Sequence, residues 1–381
     1  MSEPRVSVVM SAYSPRYIRL ALDSILAQTF TDFEFVIVDD SASAEMRALL
    51  GEYIERDSRI VVARNARNMG QTWSLNHGFG LARGELIARQ DDDDISDPER
   101  LGRQAAFLEA NPEIGLVGTQ ARIIDGEGRV QQQTTFPTTP GEVRSALLRD
   151  CVFIHGSVMV RHSWLRAVGD FDATLQPSED YDLWLRLAEV TQLANLPEAL
   201  YAFRIHTSSQ SHRRRHTQMF NKALALERAL ERRHGAQAPA AQQANAARDY
   251  LEAAVASALN NEAEFGRRSL ARALSLRPAL LDRAEPLQGI LDEYTAGQDA
   301  ASGAVLVETV YGWLPDRSAR LRRRQRRYVA GLHMRDVFRG LRERRPEGIR
   351  RDLWLGIRHD PRWLLNRGVL VTALRTLAGR R

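Results

Sequence analysis

The pattern of apolar and polar positions changes character near residue 212 of this 381-residue chain. Ahead of that point, short apolar runs alternate with amphipathic stretches. Residues 6–10 form an apolar, β-branched run, which predicts a strand buried on both faces of a parallel sheet. Ser14-Pro15 supplies an N-cap and a first helical position for a helix over 17–28, with Ile18, Leu22, Ile25 and Leu26 on one stripe. Residues 33–38 predict a second buried strand ending in Asp39-Asp40-Ser41, and 59–63 a third. A helix over 71–82 precedes a fourth strand, 85–90, that runs into Asp91-Asp92-Asp93-Asp94. Asp97 and Pro98 open a helix reaching about Ala110. Strand-like segments follow at 115–124 and 156–160, then an amphipathic helix over 179–188 and short irregular structure to about His212. This βαβ rhythm predicts an α/β fold, a mostly parallel sheet flanked by helices.

After His212 the texture becomes Ala-, Leu- and Arg-rich without strand signals. Residues 235–241 read as a linker, and two helices are expected between Ala244 and Leu276. The expected division is an α/β domain over 1–212 and a helical accessory region over 213–381.

Charge sharpens that division. The net charge of +5 conceals 20 Arg against 6 acidic residues from Tyr311 onward, so the preceding chain carries a net of −9. Basic tails meet phosphate, as lipid headgroups or nucleic acid. Seven arginines fall within 317–327, and later segments mix Arg with Trp354, Leu355, Trp363, Leu364 and Leu365. Arg beside tryptophan suits a helix lying on an anionic membrane surface. Packing of the basic tail on the acidic body is the competing reading. Nucleic acid is not expected as a partner, because no recognised binding module is present. The single cysteine, Cys151, excludes an intramolecular disulfide and fits a reducing compartment. With no apolar run long enough to cross a membrane, the expectation is a cytoplasmic protein with peripheral membrane contact.

In open parallel sheets, ligands bind beyond the carboxyl ends of the strands, where both acidic clusters fall. Four successive aspartates repel one another unless a cation or hydrogen-bond donors offset the charge. A hard divalent ion, Mn²⁺ or Mg²⁺, prefers oxygen ligands and can bridge a diphosphate. A solvated acidic loop or overlapping helix caps would give the same run.

Several ordered motifs together resemble family 2 glycosyltransferases. They are Val6 to Tyr13, Ser24-Ile25-Leu26-Ala27-Gln28-Thr29-Phe30, Val38-Asp39-Asp40-Ser41, Asn68-Met69-Gly70, Asn76, Ala82-Arg83-Gly84-Glu85, and Asp91 to Asp94 with Ile95-Ser96. The match resumes at Ser178-Glu179-Asp180-Tyr181-Asp182-Leu183-Trp184 and ends near Tyr201 to Ser211, covering about residues 5–211. The resemblance implies a GT-A fold and metal-assisted, inverting transfer from a nucleoside-diphosphate sugar, UDP- or dTDP-linked. It implies a glycan, lipid-linked or protein-linked acceptor in cell-surface polysaccharide synthesis. Ser11, Ala12 and Tyr13 would bind the nucleotide, Asp40 the base, and Asn68 and Gly70 would shape the adjoining loop. The family's DxD motif maps to Asp91 and Asp93, with Asp92 between them lining the nucleotide-sugar site and Asp94 the next candidate. Asp93 would ligate the metal, joined by His206, and Asp91 would face ribose or metal-bound water. Asp180 resembles the general base, and Glu179 would orient the acceptor. His155 is a weaker candidate beside Gly156-Ser157. Two rivals stand beside this reading. A nucleotidyltransferase would want a basic loop after the first strand, and 11–14 is not one. A non-catalytic scaffold would be favoured by loss of Asp93 or Asp180, and both are present.

Overall fold

The computed structural model describes residues 3–206, 214–281, 285–315, 319–343, 345 and 348–377. The end of the family resemblance at Ser211, the boundary expected between 212 and 213, and Arg317 lie outside the described residues. The chain divides into two compact units, Met1–Arg214 with Leu224–Gln242, and Arg215–Ala223 with Gln243–Arg381.

The first unit is built on strands β1 (Val6–Ala12), β2 (Phe33–Asp39), β3 (Ile60–Arg64) and β4 (Leu86–Arg89), all parallel, in the order β3-β2-β1-β4. Every residue of β1 and β2 is buried, as a strand covered on both faces requires. The intervening helices are α1 (Ile18–Leu26), α2 (Ala44–Arg56) and α3 (Gln71–Leu81). Ile18, Leu22 and Ile25 of α1 meet Met10 and Phe35 of the sheet and Tyr53 of α2 in one core. Each such side chain contributes roughly 1.5–3 kcal/mol on full burial.

Beyond β4 the sheet becomes mixed. Strands β5 (Ile95–Ser96), β6 (Ile114–Ile124), β7 (Val130–Gln133), β8 (Met159–Arg161) and β9 (Gln192–Arg204) continue it as β4-β8-β6-β9-β5, with β7 beside β6. β8 is antiparallel to both β4 and β6, β9 is parallel to β6, and β5 is antiparallel to β9. Helices α4 (Arg100–Ala110), α5 (Pro140–Leu147), α6 (His162–Val168) and α7 (Glu179–Val190) fall between β5 and β9 along the chain.

Three local differences from the sequence reading are seen. The irregular structure expected after 188 is instead the 13-residue β9. Pro197 and Glu198 break the apolar rhythm there, and the sheet absorbs them: Thr119 pairs Leu196 and Gln120 pairs Ala199, leaving the two exposed in between. Helix α1 starts at Ile18, with Tyr17 as its N-cap, rather than just after Ser14; the N–H groups of Tyr13 and Ser14 instead donate to the Asp92 carboxylate. Helix α4 starts at Arg100, with Asp97 accepting from the Glu99 N–H one turn earlier.

The second unit is helical among its described residues. A helix over Arg215–His234 runs through both units. Between it and the helix Ala240–Leu259, residues 235–239 hold a short turn, Gly235–Gln237, so the linker expected over 235–241 ends two residues early. Helices Ala263–Leu276, Glu285–Thr295, Ala300–Gly312, Ala319–Arg342, Ile349–His359 and Arg367–Leu377 follow. Among the described residues, no helix is long and apolar enough to cross a membrane.

Candidate functional site

Sheet register assembles the acidic cluster. Asp91 to Asp94 bridge β4 and β5, and β5 is pinned to β9 by the antiparallel pairs Ile95–Ala202 and Ser96–Tyr201. Following that register outward carries the end of β9 back along the cluster. The Arg204 N–H therefore donates to Asp94 Oδ1 at 2.7 Å, and His206 Nε2 lies 2.9 Å from Asp93 Oδ2. The Arg204 guanidinium donates to the Asp93 carbonyl at 2.8 Å and lies 4.4 Å from the centre of the Tyr17 ring. Gln90, fully buried, stiffens the loop from inside. Its amide donates to the carbonyls of Asp91 and Asp94 at 3.0 and 3.1 Å, and Ser96 Oγ donates to its oxygen.

The four aspartates have different environments. Burial works against ionisation of Asp91, but Arg89, bonded to it at 2.6 Å, and the nearby His155 hold its pKa below the ordinary carboxylate value. Burial and the Asp93 charge push Asp92 up to about 7, against the two N–H bonds from Tyr13 and Ser14. Burial and the Asp91 charge raise Asp93 despite its bond to His206. Burial, then Asp93 and Asp91, raises Asp94 well above the ordinary value, against bonds from the Arg204 N–H and the Tyr201 hydroxyl. The loop resists carrying four negative charges, and positive charge brought to it would be stabilised.

Asp40 and Asn68 act on a neighbouring loop. Asp40, at the end of β2, accepts from Asn65 Nδ2, the Met69 N–H and the Gly70 N–H at 2.8, 2.7 and 2.9 Å. Asn68 Oδ1 also accepts from the Gly70 N–H, at 2.9 Å. Gly70 turns the chain into α3 with φ of +92°, a region that favours glycine. Asp39 accepts from the N–H and hydroxyl of Ser41 and braces the turn. At the end of β1, Ser11 and Ala12 are buried while Tyr13 is 58% exposed.

Glu179 and Asp180 open α7. Glu179 is buried, with Oε1 accepting from Thr72 Oγ1 at 3.0 Å and Oε2 unpartnered among the described residues. Burial and the Asp180 charge push its pKa up to about 7. Asp180 is half-buried and accepts from the Tyr181 N–H. His155 links this pair to the acidic cluster. It senses the charges of Asp91 and Asp180, while burial and Arg89 hold its pKa low. Arg89 donates to His155 Nε2 at 3.4 Å, and the imidazole packs on Phe171 and Trp184. Trp184 is 1% exposed and belongs to the core.

Several residues that hold this geometry carry no motif signal of their own. Arg89 and Arg100 are buried. Arg100 donates to the carbonyls of Arg89 and Gly156 at 2.9 and 2.8 Å, and burial lowers its pKa to about 10. Gln71 donates to Asp91, and the Tyr201 hydroxyl accepts from the Asp91 N–H. A Cβ on Gly156 would lie 1.9 Å from the Tyr201 hydroxyl and 2.7 Å from Asp91 Oδ2, so only glycine fits there. A cation ending an otherwise apolar strand, as Arg89 does, is the signal that points to a buried countercharge.

Comparison with known proteins agrees with this architecture. The family model described as glycosyl transferase family 2 matches residues 7–169. EpsE of Bacillus subtilis is 34% identical over 236 residues, 61% of this chain and 84% of its own length. The O-antigen biosynthesis glycosyltransferase WbnJ of Escherichia coli is 31% identical over 210 residues, 54% of this chain and 81% of WbnJ. The crystal structure of S. aureus TarS superposes with a TM-score of 0.54 at 20% identity, covering 80% of this chain and 52% of TarS, a likeness of fold. With a GT-A-like sheet, acidic clusters beyond its strand ends and relatives covered over most of their length, the chain belongs to the family 2 glycosyltransferases.

Proposed function

We propose that this glycosyltransferase moves a sugar, with inversion, from a UDP- or dTDP-linked donor to a hydroxyl of a glycan, lipid-linked or protein-linked acceptor in cell-surface polysaccharide synthesis. The observation that carries the reading is the approach of His206 to Asp93, 2.9 Å apart, inside a loop whose carboxylates resist further negative charge. The kinship with WbnJ, an O-antigen biosynthesis glycosyltransferase, supports the polysaccharide setting.

Ser11, Ala12 and Tyr13 would receive the nucleotide at the end of β1, with the exposed Tyr13 ring available to a base. Asp40, Asn68 and Gly70 would act through the loop they brace, and Asp91 and Asp92 would face the ribose and diphosphate. The donor set fits Mn²⁺ or Mg²⁺. Asp93 and His206 offer two ligands, no group of three or more His, Cys, Asp or Glu suited to a metal occurs among the described residues, and such ions complete their shells with phosphate oxygens and water. When bound, the ion supplies positive charge beside the departing diphosphate.

Transfer is a single displacement. The acceptor oxygen bonds to the anomeric carbon, the bond to the diphosphate oxygen breaks with its electron pair, and the acceptor proton passes to Asp180. Burial and the Asp180 charge push the Glu179 pKa up to about 7, so a share of it stays protonated near neutral pH. In its protonated form Glu179 can donate to the acceptor, beside the half-buried Asp180. Base assistance of this kind is worth ~10²–10⁴-fold in rate. Peripheral contact of the Arg-rich tail with the cytoplasmic face of a membrane would bring the enzyme to a lipid-linked acceptor.

The test is release of nucleoside diphosphate from a panel of nucleotide sugars in the presence of acceptor lipid extract. The reading requires one donor to turn over with Mn²⁺ or Mg²⁺ and turnover to collapse in Asp180→Asn. Equal turnover in that variant would refute the assignment of the base.

A further inference from the structure

We propose that the C-terminal unit carries a phosphate-binding site for the headgroups of an anionic lipid surface, formed between the helix Ala319–Arg342 and the turn at 359–362, with Leu364 and Leu365 entering the bilayer interface beside it. A cavity of about 470 Å³ lies there, within this unit. Arg322, Arg323, Arg326 and Arg327 line it from the helix, and His359, Asp360 and Arg362 from the turn. Among the described residues lining it, Asp360 is the one acid, and Arg362 takes both its oxygens, at 2.9 and 2.6 Å. The four helical arginines are exposed and make no hydrogen bond or close ion pair among the described residues, though Arg327 is near enough to help hold the Asp360 carboxyl below its ordinary pKa.

Folding alone disfavours this arrangement. Arg322 and Arg326, and likewise Arg323 and Arg327, stand four residues apart on one helix face, where like charges repel. All four lie in the first half of the helix, toward the end whose dipole is positive. A phosphate group relieves both conflicts, and the planar guanidinium fork matches its oxygens.

The apolar neighbours favour a lipid surface over a soluble phosphate. Within the turn Pro361–Leu365, Trp363 packs inward on a cluster of Met334, Val337, Leu353 and Val369. Leu364 and Leu365 are left outside, 43% and 84% exposed, two and three residues beyond Arg362. Trp354 is 58% exposed, with the Arg358 guanidinium 4.9 Å from its ring centre. Cations beside exposed apolar and tryptophan side chains form an interfacial anchor. This site deepens the membrane reading of the tail and rests on it, but not on the transfer chemistry.

Flotation of the full chain with vesicles tests it. The vesicles are phosphatidylcholine alone, or with about 30% phosphatidylglycerol to supply anionic headgroups. The wild type should float only with the anionic vesicles and lose that binding in high salt or excess inorganic pyrophosphate. R323Q/R327Q should bind about twenty-five-fold more weakly, at about fivefold per arginine, with a melting temperature no lower than wild type because repulsion is relieved. L365S should also bind more weakly. D93A should float as wild type does, which separates failure here from failure at the catalytic site. The proposal is overturned by flotation on neutral vesicles alone, by undiminished binding of R323Q/R327Q, or by calorimetric binding of pyrophosphate or RNA with no vesicle capture.

Discussion

Glu179 makes the folded protein's stability depend on pH in a way one substitution should remove. Its folded pKa, about 7, lies above the ordinary glutamate value of 4.5, so the native state holds this proton more tightly than the unfolded chain does. Below about pH 4.5 the carboxyl is protonated in both states and carries no penalty. As pH rises from there through 7, the unfolded chain ionises first, and native stability falls. The full difference is about 3 kcal/mol, from a gap of about 2.5 units at 1.36 kcal/mol each. The side chain is 3% exposed, so solvent screening takes little from this figure. Glu179→Gln keeps the shape and a hydrogen-bonding partner for Thr72 but cannot ionise. Guanidinium unfolding of both proteins should show the variant gaining about 1 kcal/mol over wild type near pH 5.5 and about 3 kcal/mol near pH 8.5. A gap between the two proteins that stays constant between those pH values would refute the burial argument.

Other consequences follow from the same geometry. Asp180→Asn should lower kcat by ~10²–10⁴-fold while leaving the melting temperature within a degree or so, as measured by transfer assay and thermal melt. Gly156→Ala should destabilise by roughly 1–3 kcal/mol through overpacking and reduce activity, because its Cβ collides with Tyr201 and Asp91; denaturant unfolding with a parallel transfer assay checks both. His206→Ala should raise the Mn²⁺ concentration needed for half-maximal turnover more than it changes donor KM at saturating metal.

Much of the first unit is legible from residue pattern. β1 and β2 announce themselves because strands buried on both faces admit little but apolar, β-branched residues. The acidic clusters stand out because strand ends place them together. β9 is less legible: Pro197 and Glu198 interrupt its rhythm, and only pairing with β6 makes it a strand. Its register also brings Arg204 and His206 to the cluster, so their placement depends on tertiary pairing across more than 100 positions, 110 between Arg204 and Asp94. The helix at 44–56 carries ordinary signals, a Ser43 cap with Met46, Leu49, Leu50 and Tyr53 buried on one face. Arg89 and Arg100 are hard to read because buried cations are rare, and their worth lies in partners that the fold supplies. The sequence rhythm beyond β4 does not reveal that the sheet turns mixed there, since antiparallel neighbours such as β8 are only a few residues long.

The measurement that bears most directly on the central claim is a thermal-shift screen of nucleoside diphosphates and their sugars, with and without Mn²⁺, on the wild type and Asp93→Ala. Ligands that bind only the native state raise the melting temperature by mass action. One nucleotide should stabilise the wild type in a Mn²⁺-dependent way, and the variant should lose that dependence. Folded wild type that no nucleotide stabilises, with or without metal, would contradict a nucleotide-sugar site at Asp91 to Asp94.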